Sequence, residues 1–219
     1  MPTQLERAGC PASTLIVWLP GAGSTIDEFT RERFVEVLRE RRIAADTLLA
    51  DAHLGYYRNR SIVDRLEADV FAPARAAGYK QVWLAGISLG GLGTLLHESK
   101  VPGEVAGMVA IAPFLGEAPE LDAIEAAGGL ARWTPPPVTE GEPVGTELWR
   151  WLKGYLAPGA NRPPLYLAYA TEDRLSQGHR LLAANLPPQR VVTTQGGHDW
   201  PEWRRLWGQL LDKLPLPKC

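Results

Sequence analysis

Short, unbroken apolar runs alternate along this chain with stretches whose apolar residues recur every three or four positions. The runs are Leu15–Leu19, Thr47–Ala50, Val82–Ala85, Val105–Ile111, Leu165–Ala170 and Val191–Thr194. Each is strand-sized, and most lack polar alternation, as expected of strands buried on both faces of a parallel sheet. Between them, Thr25 and Glu28 have capping-box spacing ahead of Phe34, Val37 and Leu38, and Ser61 with Asp64 precedes Leu66 and Val70 in the same way. Leu92, Leu95 and Leu96 form a further stripe. Trp203, Leu206, Trp207, Leu210, Leu211 and Leu214 keep the helical period near the end. Strand and helix in alternation predict an α/β fold with a doubly wound, mostly parallel sheet.

Residues 116–164 break the rhythm with Ala118-Pro119, Gly128-Gly129, Pro135-Pro136-Pro137 and Pro158-Gly159. Two short helices fit there, over Glu120–Ala127 and Thr146–Leu156. The stretch is too short for a core of its own. The expectation is therefore one domain over 1–219 with a cap insertion at about 116–164. Six of the 8 Trp fall in two windows, Trp133, Trp149, Trp151 and Trp200, Trp203, Trp207, which suggests that the windows meet in space.

The sharpest chemical signal is Gly86-Ile87-Ser88-Leu89-Gly90, a G-x-S-x-G sequence between the run Val82–Ala85 and the stripe beginning at Leu92. On a tight strand-to-helix turn, the glycines remove Cβ clashes and the serine Oγ projects above the sheet. The following helix N-terminus favours developing negative charge. A serine hydroxyl needs a base and an acid that orients the base. Among the four histidines, His198 lies in a loop after the last apolar run and before the last helix, and it is the candidate base. His97 lies within the helix after Ser88 and points elsewhere. His179 sits among polar residues and reads as solvated. His53 follows the run Thr47–Ala50, on the edge of the sheet where Ser88 would stand. For the acid, Asp173 is favoured, at the end of the run Leu165–Ala170. Glu172 and Asp199 are alternatives, although Asp199 with Glu202 and Pro201 also reads as a helix cap.

Ser88, Asp173 and His198 follow one another in the order found in α/β hydrolases. From roughly Ser13 to Leu214 the chain resembles serine hydrolases of the α/β-hydrolase superfamily, of the small esterase type. The His198-Asp199-Trp200 close is similar to that of esterase-D-like enzymes. The resemblance implies an oxyanion hole from the Leu89 N–H and, in the loop Leu19-Pro20-Gly21-Ala22-Gly23, the Ala22 N–H. Pro20-Gly21 stands where the family usually has His-Gly. It also places the 116–164 segment above the catalytic edge, with Trp133, held by the prolines after it, as a pocket wall. His53 and Tyr57, with its neighbours Tyr56 and Arg58, are candidate substrate contacts. The activity implied is hydrolysis of esters with short to medium acyl chains. A thioesterase or acyltransferase would use the same triad.

Composition narrows the rest. With 23 Lys+Arg against 25 Asp+Glu the net charge is −2, which argues against a nucleic-acid partner. No stretch approaches a membrane span, and Met1–Gly9 has no apolar signal-peptide core, so a cytoplasmic chain is expected. Cys10 and Cys219 form neither metal spacing nor a disulfide framework, which fits a reducing compartment. No metal or cofactor is expected, and the partner is a small-molecule ester. A nucleotide-binding module is a remote alternative: Gly21-Ala22-Gly23 opens a G-x-G-x-x-G, but Ile26 stands at its third glycine. A non-catalytic α/β module is the other.

Overall fold

The computed structural model of this protein describes every residue except 158, 160 and 161, so Pro158 of the expected Pro158-Gly159 turn lies outside the described residues. Among these residues seven strands form one sheet: β1 (Thr3–Glu6), β2 (Thr14–Leu19), β3 (Ala45–Ala50), β4 (Gln81–Ile87), β5 (Gly107–Ile111), β6 (Leu165–Ala170) and β7 (Val191–Thr194). Their order is β1-β3-β2-β4-β5-β6-β7. β2 to β7 run parallel, and β1 joins the edge antiparallel to β3. Six strands coincide with the apolar runs. β1, the polar segment Thr-Gln-Leu-Glu, is the strand the pattern did not show.

The helices are α1 (Asp27–Arg31), α2 (Glu36–Glu40), α3 (Leu54–Arg58), α4 (Ile62–Leu66), α5 (Ala72–Ala76), α6 (Leu89–Lys100), α7 (Ala118–Ala126), α8 (Val144–Tyr155), α9 (Ser176–Ala183) and α10 (Trp200–Leu210). A π-helical stretch, Glu67–Phe71, joins α4 to α5. Strand alternation then feeds two cores. Leu15, Val17 and Leu19 of β2 enter one core with residues of α4, α5, α6 and α8. Ile16 and Trp18 enter the other with α1, α2 and α10. This is the doubly wound arrangement, with every residue of β2 buried.

The sheet keeps the two tryptophan windows apart. Trp133 and Trp149 lie in the first core, Trp203 and Trp207 in the second. The chain passes through β6 and β7 between the windows, and α10 returns on the opposite face. There Trp207 meets Trp18 edge-on at 4.9 Å, and Trp200 meets Phe29 and Phe34 at 5.6 Å.

The cysteine expectation is also corrected: Cys10 and Cys219 are joined in a disulfide across 209 residues of sequence. Residues 7–10 and the C-terminal tail both reach the beginning of β3. The Arg7 and Ala8 nitrogens bond the Asp46 carboxylate. The C-terminal tail bonds back through the Ala44 N–H to the Pro217 carbonyl and the Cys219 N–H to the Arg42 carbonyl. Spacing in sequence carried no trace of this convergence. No helix among the described residues is long and apolar enough to cross a membrane.

Candidate active site

β4 ends at Ile87 and α6 starts at Leu89, which leaves Ser88 alone on the turn at φ +53°, ψ −112°. Such a conformation costs a non-glycine residue ~1–3 kcal/mol and has to be imposed by its surroundings. The surroundings here are backbone bonds. The Ser88 N–H donates to the Ile111 carbonyl of β5, and the Ser88 carbonyl accepts from the Leu92 and Phe114 N–H groups. The two glycines of the motif are steric necessities. A Cβ on Gly86 would stand 2.1 Å from the Gly90 carbonyl oxygen, and one on Gly90 2.0 Å from that of Leu19. Strand, turn and helix can close so tightly only without those carbons.

The loop after β7 carries His198 to this serine. Its Nε2 is 2.9 Å from Ser88 Oγ, and its Nδ1 is 2.7 Å from Asp173 Oδ2. Because a carboxylate only accepts, Nδ1 carries the proton and Nε2 is left as acceptor toward the serine hydroxyl. Trp203, edge-on at 5.0 Å, packs beside the imidazole. The Asp173 side chain is fully buried. Its other oxygen, Oδ1, accepts from the Leu175 N–H at 2.8 Å. Burial pushes the Asp173 carboxyl up, but the hydrogen bonds from His198 and Leu175 outweigh it and hold the group below the ordinary carboxylate range.

The alternatives for the acid are engaged elsewhere. Glu172 is exposed, and its Oε1 accepts from Gln195 at 2.8 Å. Asp199 caps α10, accepting from the Glu202 N–H at 3.2 Å. Glu202 supports the histidine loop from below: Thr194 Oγ1 donates to its Oε2 at 2.9 Å, and its side chain fills the space where Gly196 has no Cβ.

Gly21 lies against Ser88, its Cβ position 3.5 Å from the Ser88 Cβ, so the loop holding Ala22 borders the site. Leu89 is the first residue of α6, where N–H groups lack intrahelical partners. The other expected contacts divide. The His53 ring caps α3 by accepting from the Gly55 N–H at 3.1 Å and packs tilted against the Tyr56 ring. The Tyr57 hydroxyl is buried against Gly93 with no hydrogen-bond partner among the described residues, and the ring lines a cavity of about 260 Å³ with Val63, Leu92, Leu96 and Val144. Trp133 lines a cavity of about 420 Å³ with Pro119, Pro136, Pro143 and Thr146, and none of Ser88, Asp173 and His198 is among its lining residues. In α8, Trp149 turns inward and donates to the Leu115 carbonyl at 2.7 Å, while Trp151 stacks on Tyr155.

Two histidines remain. His97 bonds Glu67 Oε1 at 2.7 Å and stacks on Phe71, remote from Ser88. His179 corrects an expectation. It is fully buried rather than solvated, with Nε2 2.9 Å from the Pro113 carbonyl oxygen. Its polar neighbours Gln177 and Arg180 disguised it. The usable signal was the spacing to Leu182, which shares its buried face of α9.

No protein-family model matches the chain, and no curated protein matches it by sequence. Solved structures do resemble it. Est1E from Butyrivibrio proteoclasticus superposes with a TM-score of 0.65 at 15% identity, over 96% of this chain and 93% of its own. The S-formylglutathione hydrolase FrmB from Staphylococcus aureus gives 0.60 at 18% identity, over 92% and 80%. A structure from a study of carboxylesterases of Nitrososphaera gargenis gives 0.59 at 15%, over 96% and 91%. At these identities the likeness is one of architecture, and with the parallel sheet and the serine on its strand-to-helix turn it shows that this chain has the α/β-hydrolase fold.

Proposed function

We propose that this protein is a serine hydrolase that cleaves carboxylic esters of short to medium acyl chain through an acyl-enzyme on Ser88. The observation that carries the reading is the continuous line from Ser88 Oγ through the His198 imidazole to the buried Asp173 carboxylate. That the similar structures include an S-formylglutathione hydrolase and carboxylesterases supports it.

In this reading Ser88 Oγ attacks the ester carbonyl while His198 Nε2 takes its proton. The tetrahedral oxyanion is held by the Ala22 and Leu89 N–H groups, each such donor being worth about 3 kcal/mol of transition-state stabilisation. Collapse breaks the ester C–O bond, and the imidazolium returns its proton to the leaving alcohol. Water then attacks the acyl-enzyme with His198 again as base, releasing a carboxylic acid and restoring Ser88. Asp173 stays ionised throughout, orients the ring and stabilises its charged form. No cofactor enters these steps.

The chain acts as one domain, with 116–164 as a cap that shares the main core through Trp149 and Leu152. Trp133 is the cap's contribution to the acyl pocket. A small-molecule ester is the partner. The disulfide removes the cysteine argument for a cytoplasmic location. A panel of p-nitrophenyl esters and acyl thioesters of graded length tests the reading. Highest kcat/KM on short and medium oxygen esters is expected. A preference for thioesters or for long chains would replace it with a thioesterase or lipase reading.

A further inference from the structure

We propose that His179 is a positioning residue for the nucleophile, a strut that locks the loop behind Ser88 to the helix that follows the acid loop. This rests on the serine hydrolase reading and extends it to a residue outside the triad. The strut begins at Pro113. That residue belongs to the turn after β5, where Ala112 takes a left-handed φ of +47° although it has a side chain. The turn touches the nucleophile once and the helix after it once: the Phe114 N–H donates to the Ser88 carbonyl at 2.9 Å, and the Pro113 Cβ lies 2.7 Å from where a Cβ on Gly91 would stand. Any drift of Pro113 therefore moves the first turn of α6 and the serine with it.

His179 prevents that drift. Its Nε2 bonds the Pro113 carbonyl, and its ring packs 5.2 Å from that of Tyr169 on β6. A carbonyl only accepts, so Nε2 carries the proton and the imidazole is the Nε2–H tautomer. Burial depresses its pKa to about 4, against an opposing pull from Asp173, which keeps the ring neutral at working pH. At the other end of the strut, the His179 N–H bonds the Leu175 carbonyl at 3.4 Å, and the Leu175 N–H holds Asp173 Oδ1 at 2.8 Å. One residue thus joins the two supports, its imidazole holding the turn beside the nucleophile and its backbone N–H the loop of the acid. Catalytic geometry is sensitive to such supports, since a misplacement of about 1 Å can cost ~10²-fold in rate.

His179→Leu removes the donor and keeps an apolar filler. His179→Gln keeps a donor at nearly the position of Nε2. For the leucine variant the inference expects a fall in kcat of about 10²-fold, an almost unchanged KM, and slowed fluorophosphonate labelling of Ser88. The glutamine variant should recover most of that loss. If both variants lose activity equally, or if the leucine variant loses Tm while kcat and labelling hold, His179 is core packing and the inference is overturned. Should His179→Leu fail to fold, ¹⁵N–¹H spectra of the wild-type imidazoles decide. A slowly exchanging Nε2–H on a neutral His179 supports the strut, and an Nδ1–H tautomer overturns it. A wild-type protein that the fluorophosphonate never labels overturns the hydrolase reading itself, whereas labelled wild type with unaffected variants sinks the strut alone.

Discussion

His198 Nε2 and Ser88 Oγ stand 2.9 Å apart across 110 residues of sequence, brought together because β4 and β7 end on the same edge of a parallel sheet. Which carboxylate serves that histidine is open to a direct ranking. Asp173→Asn leaves the imidazole in the wrong tautomer and should lower kcat by ~10³–10⁴-fold. Asp199→Asn replaces one good helix cap with another and should change kcat less than about threefold. Kinetics on an activated ester check the order, and a larger loss at Asp199 would transfer the acid role.

Stability should respond to acid through His179. Its pKa is lowered from 6.5 to about 4 in the folded protein. Between those values the unfolded chain takes up the proton and the folded one does not. The stability present above about pH 6.5 is then lost as pH falls toward 4, by a few kcal/mol at about 1.4 per pKa unit. Denaturant unfolding of wild type and His179→Gln at pH 7 and pH 4.5 checks it: the wild type should lose more. Equal losses would place the effect on other groups.

Tyr57 and Gly93 form a second testable pair. A Cβ on Gly93 would sit 2.3 Å from the Tyr57 hydroxyl oxygen and 3.1 Å from Leu19 Cδ1. Tyr57→Phe removes a buried, unpartnered hydroxyl and should be neutral or slightly stabilising. Gly93→Ala should be destabilising by about 1–3 kcal/mol in the wild type and less so beside Tyr57→Phe. Additive Tm changes in the double variant would show that the two groups do not press on each other.

Cys10 and Cys219 close nearly the whole chain into one loop. Removing such a bridge typically costs 2–5 kcal/mol through the unfolded state. Cys219→Ser should lower stability on that scale and leave kcat unchanged at 25 °C, since the bridge lies at the edge where the chain ends meet β3. Unchanged stability under reduction would show that the tail bonds from Ala44 and Cys219 suffice alone.

The strands that carry the site were legible because burial on both faces leaves unbroken apolar runs, and six of the seven strands have one. β1 escaped because it is an edge strand with a polar sequence and mostly exposed side chains. Ser88 was legible because its turn forbids Cβ atoms on both sides, a constraint written as two glycines. Asp173 was harder: Glu172 and Asp199 share its chemistry, and only the path of the loop turns one carboxylate inward. Periodicity marks a helix's buried stripe but not the face of the sheet it covers, and so the tryptophan windows were brought together wrongly. His179 and the disulfide depend on contacts between distant segments, to which local pattern is blind.

The central claim is that Ser88 is an activated nucleophile. Incubation with a fluorophosphonate, followed by intact mass and peptide mapping, tests it most directly. One adduct is expected, carried by the peptide containing Ser88, absent in Ser88→Ala and formed far more slowly in His198→Ala. Full labelling of Ser88→Ala, or no adduct on the wild type, would contradict it.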